Sequence, residues 1–211
     1  MGDFIIEDGV LTKYTGPGGD VVVPDGVRII GRDAFEGCDS VNSIYLPESV
    51  VELWDSAFAW CDRLTCITMM GHGVWMQSHV FYHCDALEAI IAPHTSLHDF
   101  WESEKVELAA VLGYLTKPAL YQDPEVAATY NAHIMAHEYL RNWILERDLG
   151  DGLRVFDELG LITPENFESD YLIWAQVEDA VHCTAFLLDW KEKHLSQFQG
   201  ELWQEFSLSD E

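Results

Sequence analysis

Four short stretches of the chain place apolar residues at alternate positions, and they recur every 23 residues. They are Val21-Val22-Val23-Pro24, Ile44-Tyr45-Leu46-Pro47, Ile67-Thr68-Met69-Met70 and Ile90-Ile91-Ala92-Pro93. Alternation with a period of two predicts strands whose first and third residues face a core and whose second faces out. A proline ends three of the four, where it removes no ladder hydrogen bond. Beyond each stop comes a second apolar pair: Val27 with Ile30, Val50 with Leu53 and, more loosely, Val74 with Met76. A corner follows, read as Ala34-Phe35-x-x-Cys38, Ala57-Phe58-x-x-Cys61 and Val80-Phe81-x-x-Cys84. Its aromatic residue fills the interior and its cysteine acts as a compact buried hydrophobe. Self-similarity at such a period predicts a solenoid, in which no coil closes a core alone and stacked neighbours share one.

Before the repeats, Phe4-Ile5-Ile6-Glu7 and Val10-Leu11-Thr12-Lys13-Tyr14 flank Asp8-Gly9, a pair that tolerates the positive φ of a tight turn. This predicts a hairpin covering the open end of the stack, broken by Gly16-Pro17-Gly18-Gly19. From Ser103 the apolar period changes from 2 to 3.6, and a first helix ends near Lys117-Pro118. Asp123-Pro124-Glu125 predicts the next helix start. Its apolar stripe runs through Ala128, Ala132, Met135, Ala136, Tyr139, Leu140, Trp143 and Ile144, and Gly150 and Gly152 end it. A short helix spans Leu153 to Leu159, and Thr163-Pro164-Glu165 starts a further turn. Ser169 or Asp170 then caps a long helix with Ile173, Val177, Ala180, Val181, Thr184, Leu187 and Leu188 inward, and the tail after His194 is expected to fray. The fold class expected is α+β: a short solenoid over residues 1–100, capped by an all-helical domain over residues 101–211.

The sequence Leu-x-x-Ile-x-Leu-Pro, then Val-x-x-Ile, then Ala-Phe-x-x-Cys resembles the leucine-rich repeats of the BspA-like type. It is carried by Val41 through Pro47, Val50 to Leu53 and Ala57 through Cys61, and the resemblance covers roughly residues 20 to 100. It implies a right-handed, β-rich solenoid used as a protein- or glycan-binding scaffold, often in bacteria of host-associated communities, and it implies no catalysis. Residues 153–162 with the helix after them are weakly similar to one ankyrin-like helix pair.

Charge narrows the partners. Eleven Lys and Arg stand against 37 Asp and Glu, a net charge of −26. Such a field repels phosphate backbones and anionic lipid, which argues against nucleic acid and membrane surfaces and suits solubility or a basic partner. No apolar run reaches the ~18 residues a membrane span needs. Five cysteines, no Asn-x-Ser/Thr site and no leader-like N-terminus lead us to expect a cytoplasmic protein, or a secreted one if a leader has been removed.

Three histidine pairs stand four apart: His79 with His83, His94 with His98, and His133 with His137. Only the last falls on an expected helix, where that spacing would offer two imidazoles to zinc. A metalloprotease helix needs Glu directly after the first His, and Ile134 occupies that place. A zinc-dependent hydrolase is therefore the weakest alternative; no catalytic, metal or cofactor residue is expected. Asp148-Leu149-Gly150-Asp151-Gly152 lacks the alternating ligands of a calcium loop and reads as a helix-breaking turn. Cys38, Cys61 and Cys84 are expected as a buried ladder of free thiols, with Cys66 the exposed one.

What remains is surface. The outward row Val22, Tyr45, Thr68 and Ile91, flanked by Ser43, Cys66 and Ala89, forms a strip about 15 Å long with few charges. A neutral strip on an acidic protein has the composition of an interface core, unless the helical domain folds over it. The reading is a non-enzymatic scaffold that binds an unidentified protein through Val22, Ser43, Tyr45, Cys66, Thr68 and Ile91. Trp54, Trp60 and Trp75 fall at outward or edge positions. They offer a second anchor, and Trp54 with Trp75 carry the alternative of a glycan-binding module.

Overall fold

The structure, a computed structural model, describes residues 2–207, with side chains described to residue 195. It contains a parallel-strand solenoid of about four turns followed by a helical region with six α-helices. The backbone divides into two compact units, 2–133 and 134–207, and the division falls inside the second helix.

Strands β1 (Phe4–Glu7) and β2 (Val10–Tyr14) form the expected antiparallel hairpin. Asp8 and Gly9 both adopt positive φ, 49° and 80°, as the tight turn requires. Each coil then gives one longer strand and one of two residues: β3 (Gly19–Val22) and β4 (Ile29–Ile30), β5 (Val41–Leu46) and β6 (Glu52–Leu53), β7 (Cys66–Met69) and β8 (Trp75–Met76). Strand β9 (Ala89–Ile91) closes the series. The longer strands stack in parallel in the order β3-β5-β7-β9, and the short ones continue from the hairpin as β1-β2-β4-β6-β8.

The register follows the period of the sequence. Val21, Ile44, Ile67 and Ile90 align and are buried; Leu11, Ile30, Leu53 and Met76 align on the other sheet and are buried. Between the sheets the corner rings form a column, Phe35 tilted against Phe58 at 5.3 Å and Phe58 stacked on Phe81 at 5.7 Å between centroids. The column starts one rung earlier than the repeats do, because Tyr14 of the hairpin stacks on Phe35 at 5.0 Å. Corner backbones are laddered as well: Phe35 N–H donates to the Ala57 carbonyl and Phe58 N–H to the Val80 carbonyl.

The corner cysteines do more than fill space. The Cys61 thiol donates to the Phe35 carbonyl and the Cys84 thiol to the Phe58 carbonyl, each at 3.1 Å, so a weak donor serves a buried acceptor one coil back. The Cys61 thiol is held well above its ordinary value by hydrogen bonding with Cys84 and by burial. All five cysteines are free; Cys38, at the start of the ladder, is half-buried rather than buried.

The far end of the stack needs partners for groups that a further coil would have satisfied. Helix α1 (Glu104–Thr116), capped by Ser103, supplies the closure by lying against β9. Gly113 permits it, since a Cβ there would collide with the Ile90 carbonyl oxygen. Glu102 accepts from Phe81 N–H at 3.2 Å, in the place a next corner carbonyl would take, and burial raises its carboxyl above the ordinary range. Lys105 donates to the Cys84 and Asp85 carbonyls. Tyr121 accepts from Ala92 N–H and, on helix α2 (Pro124–Ala136), Tyr130 donates to the Thr95 carbonyl.

The second unit departs from the sequence reading in three places. The stripe expected from Ala128 to Ile144 on one helix is split: α2 ends at Ala136 and α3 (Tyr139–Glu146) begins afresh. Ala128, Ala132, Met135, Ala136 and Tyr139 are exposed, while Tyr130, Ile134, Leu140 and Ile144 are buried. Gly150 starts α4 (Gly150–Glu158) rather than ending a helix; it sits 3.0 Å from the His182 carbonyl, counted from an added Cβ, so closeness is its reason. The long helix expected from Ser169 is broken between α5 (Ile173–Val177) and α6 (Val181–Ser207), where Asp179 adopts a φ of 55°. Ala180 and Leu187 are buried as expected, with Cys183 and Trp190 beside them, whereas Ile173, Val177, Val181 and Leu188, expected inward, are exposed. The expected fraying after His194 falls mostly on residues whose side chains lie outside those described; the helix is drawn through Ser207.

Asp148 ties this unit together. Its carboxylate accepts from the His182 and Cys183 N–H groups at 3.0 and 2.8 Å, at the start of α6, and meets His182 Nδ1 at 2.6 Å. Burial works to raise its pKa, but these three partners outweigh it and hold the carboxyl below the ordinary value.

Candidate functional site

The parallel register carries the outward row as the sequence predicts: Val22 pairs with Tyr45, Tyr45 with Thr68 and Thr68 with Ile91. Exposure falls along it. Val22 is 64% exposed and Tyr45 40%, Thr68 is half-buried, and Ile91 is 9% exposed. Ile91, expected at the surface, is covered because α1 packs against β9 at its Gly113. The accessible strip is therefore three coils rather than four, about 10 Å from Val22 to Thr68. Its flank is less neutral than expected at one end: Ser43 donates to the exposed Asp20 carboxylate at 2.7 Å. Cys66 is half-buried rather than exposed, and burial pushes its thiol up, against the lowering effect of Thr68. A thiol so held is a poor nucleophile at neutral pH.

A second assembly lies on the other side of the coils. Trp75 occupies the outward position of β8, at the end of the row Val10, Ile29, Glu52 and Trp75, and is 58% exposed. Trp101, just past the last coil, is 65% exposed. Together they flank a groove of about 490 Å³ with Arg32, Asp55, Gln77 and Ser78. Arg32 and Asp55 form an ion pair at 3.1 Å, and Gln77 accepts from Asp55 N–H through its side-chain oxygen. Trp54, expected to pair with Trp75, is half-buried and donates its indole N–H to Glu52 at 3.0 Å; it does not line this groove. Ser78 and Trp101 also border a neighbouring hollow of about 460 Å³, with His79, Tyr82, His83 and Glu102. Trp60 stacks on His83 at 4.0 Å and meets Tyr82 edge-on.

The histidine pairs do not converge on a metal. His133 lies on α2 with Nδ1 3.3 Å from Glu107, and His137 lies past the end of that helix, so the two do not share a helical face. His79 and His83 sit at left-handed corner positions, and His94 stacks on His72. Among the described residues no group of three or more His, Cys, Asp or Glu side chains is placed to hold a metal ion. No helix among them is long and apolar enough to cross a membrane.

Residues 13–102 match the model of the BspA type leucine rich repeat region in six copies, over the strands and corners just described. This stretch is a BspA-type leucine-rich repeat region. Among solved structures, a leucine rich repeat protein of T. pallidum is 32% identical over 41% of this chain and 44% of its own, with a TM-score of 0.38. The chain thus spans less than half the length of that relative. No curated protein matches the chain. Leucine-rich repeats typically serve as protein-interaction scaffolds, with function carried by side chains on the repeated surface rather than by the fold.

Sequence reasoning missed Trp101, Arg32, Asp55, Gln77 and Tyr82. Arg32, Asp55 and Ser78 are counterparts at the 23-residue period, so aligning coils for outward polar residues, not only apolar ones, would have found part of the groove. Trp101 has no counterpart and no such signal.

Proposed function

We propose that the protein is a non-enzymatic recognition scaffold whose leucine-rich-repeat strand face binds an extended protein segment. The observation that carries this reading is the outward row Val22, Tyr45 and Thr68, one residue per coil in strict register, apolar or hydroxylic and open at the hairpin end. An aromatic ring with apolar neighbours and flanking hydroxyls is the make-up of an interface centre, where Tyr is enriched and charge depleted. The net charge of −26 and the exposed Asp20 at the rim favour a segment carrying Lys or Arg, drawn in by long-range attraction.

Selection of a displayed library of unstructured peptides against the folded protein tests this. Enriched peptides should be basic, and calorimetry should show Tyr45→Glu weakening them by at least about tenfold, the loss of one anchor plus a buried charge. Peptides that bind Tyr45→Glu and Val22→Glu as tightly as the parent would sink the proposal.

A further inference from the structure

Trp60 and Tyr82 stand exposed at the corners, Trp75 on the outward face of β8 and Trp101 just past the last coil. Trp60 has a φ of 60° and His83 of 55°, at the position where the first corner places Gly37 with a φ of 66°. Glycine is the residue suited to that conformation, and a bulky side chain there is rare and strained by about 1 kcal/mol or more. Trp60 is nonetheless 46% exposed, so burial does not explain it. Its ring stacks on His83 at 4.0 Å and meets Tyr82 edge-on, so the left-handed position carries a surface row of aromatic rings from one corner to the next.

The surroundings specify the chemistry. The groove between Trp75 and Trp101 has aromatic walls and a polar floor: the Arg32–Asp55 ion pair, Ser78, and Gln77, whose side-chain oxygen is engaged while its amide NH2 remains available. Flat apolar faces combined with paired donors and acceptors suit a molecule that is apolar on its ring faces and hydroxylated around its rim. That molecule is a sugar. A peptide anchor would want a dry, well-packed pocket, which this groove is not. Trp101 and Ser78 also border the second hollow, where Tyr82 is 46% exposed beside His83 and His79. Two adjoining hollows sharing a tryptophan wall fit a chain of sugars rather than one. The field of 26 excess negative charges disfavours sulfated or sialylated chains.

We propose that this side of the solenoid is a binding site for a neutral oligosaccharide, with ring faces stacked on Trp75, Trp101 and Tyr82 and hydroxyls bound by Asp55, Arg32 and Gln77. It goes beyond the strand-face reading and does not depend on it, since the two surfaces share no residue.

The test is titration of the full chain with unbranched neutral oligosaccharides of hexose and N-acetylhexosamine, presented on an array and then followed by tryptophan fluorescence. Binding is expected, and Trp101→Ala, which removes a wall of both hollows, should weaken it by at least about tenfold. Trp75→Ala and Gln77→Ala should weaken it less, and Tyr45→Glu should leave it unchanged. Thermal melts of each variant check that the fold survives. No binding of any neutral oligosaccharide at millimolar concentration overturns the proposal. So does binding confined to sulfated or sialylated chains, binding unchanged in Trp75→Ala/Trp101→Ala, or a peptide that occupies the groove where no sugar does.

Discussion

In the solenoid nearly every contact has a counterpart one coil away, whereas in the helical unit each is made once. Phe35, Phe58 and Phe81 do the same job three times, and the thiols of Cys61 and Cys84 donate to equivalent carbonyls. In the second unit Asp148 caps the start of α6 and Trp190 donates its indole N–H to Asp157, contacts with no repeated counterpart among the described residues. Repetition makes stability a sum over coils and their interfaces, so damage in the middle of the stack breaks two interfaces and damage at an end breaks one. Singular contacts have no such gradient; their loss is set by local burial and geometry.

The largest effect should therefore come from a middle rung. Phe58→Ala removes a ring packed against a neighbour on both sides in a fully buried corner, and a loss of about 3–5 kcal/mol is expected in urea unfolding. A loss no greater than that of Tyr14→Ala, at the end of the column, would contradict the nearest-neighbour picture. Next is Gly113→Ala, which forces α1 off β9 and should cost about 1–3 kcal/mol while raising exchange of the Ile90 and Ile91 amides. If those amides stay protected, closure of the stack does not depend on that contact.

In the helical unit, Asp148→Ala should cost about 1–2 kcal/mol at pH 7 through loss of the cap. The carboxyl is held below its ordinary value in the folded chain, so its contribution is complete above the unfolded pKa of about 3.9 and disappears as pH falls through the lower folded value. The gap between parent and variant should accordingly narrow below about pH 4; a gap constant from pH 7 to pH 2 would show that the charge is not what matters. The smallest effect is expected at Trp60→Gly. Relief of left-handed strain, about 1 kcal/mol, offsets loss of the stack on His83, about 0.5–1.5 kcal/mol, so the melting temperature should barely move.

This contrast also explains what could be read in the sequence. Four strands, their inward and outward residues and the corners were legible because each signal is repeated, and Val21, Ile44, Ile67 and Ile90 align as the period requires. The helical unit offered no second copy against which to check a face. The helix break at Asp148 was legible from its glycine-rich neighbours, but no propensity pattern marks Asp179, where the chain passes through a left-handed conformation and the helical phase is reset. Apolar residues such as Ile173 and Val177 then fall outside. Alternation gave the register of the outward row Val22, Tyr45 and Thr68. It did not give the burial of Ile91, which comes from a helix more than ten residues further along the chain. The aromatic groove was the least legible, being assembled from residues of three coils and Trp101 beyond them.

The central claim is that recognition by this chain runs through the strand face. Amide chemical-shift mapping with a library-selected basic peptide tests it most directly. The account predicts shifts concentrated at Val22, Tyr45 and Thr68 and their neighbours on β3, β5 and β7, with the amides of Trp75 and Trp101 unmoved. Shifts confined to the corners or to the helical unit, with the strand amides unchanged at saturation, would contradict it.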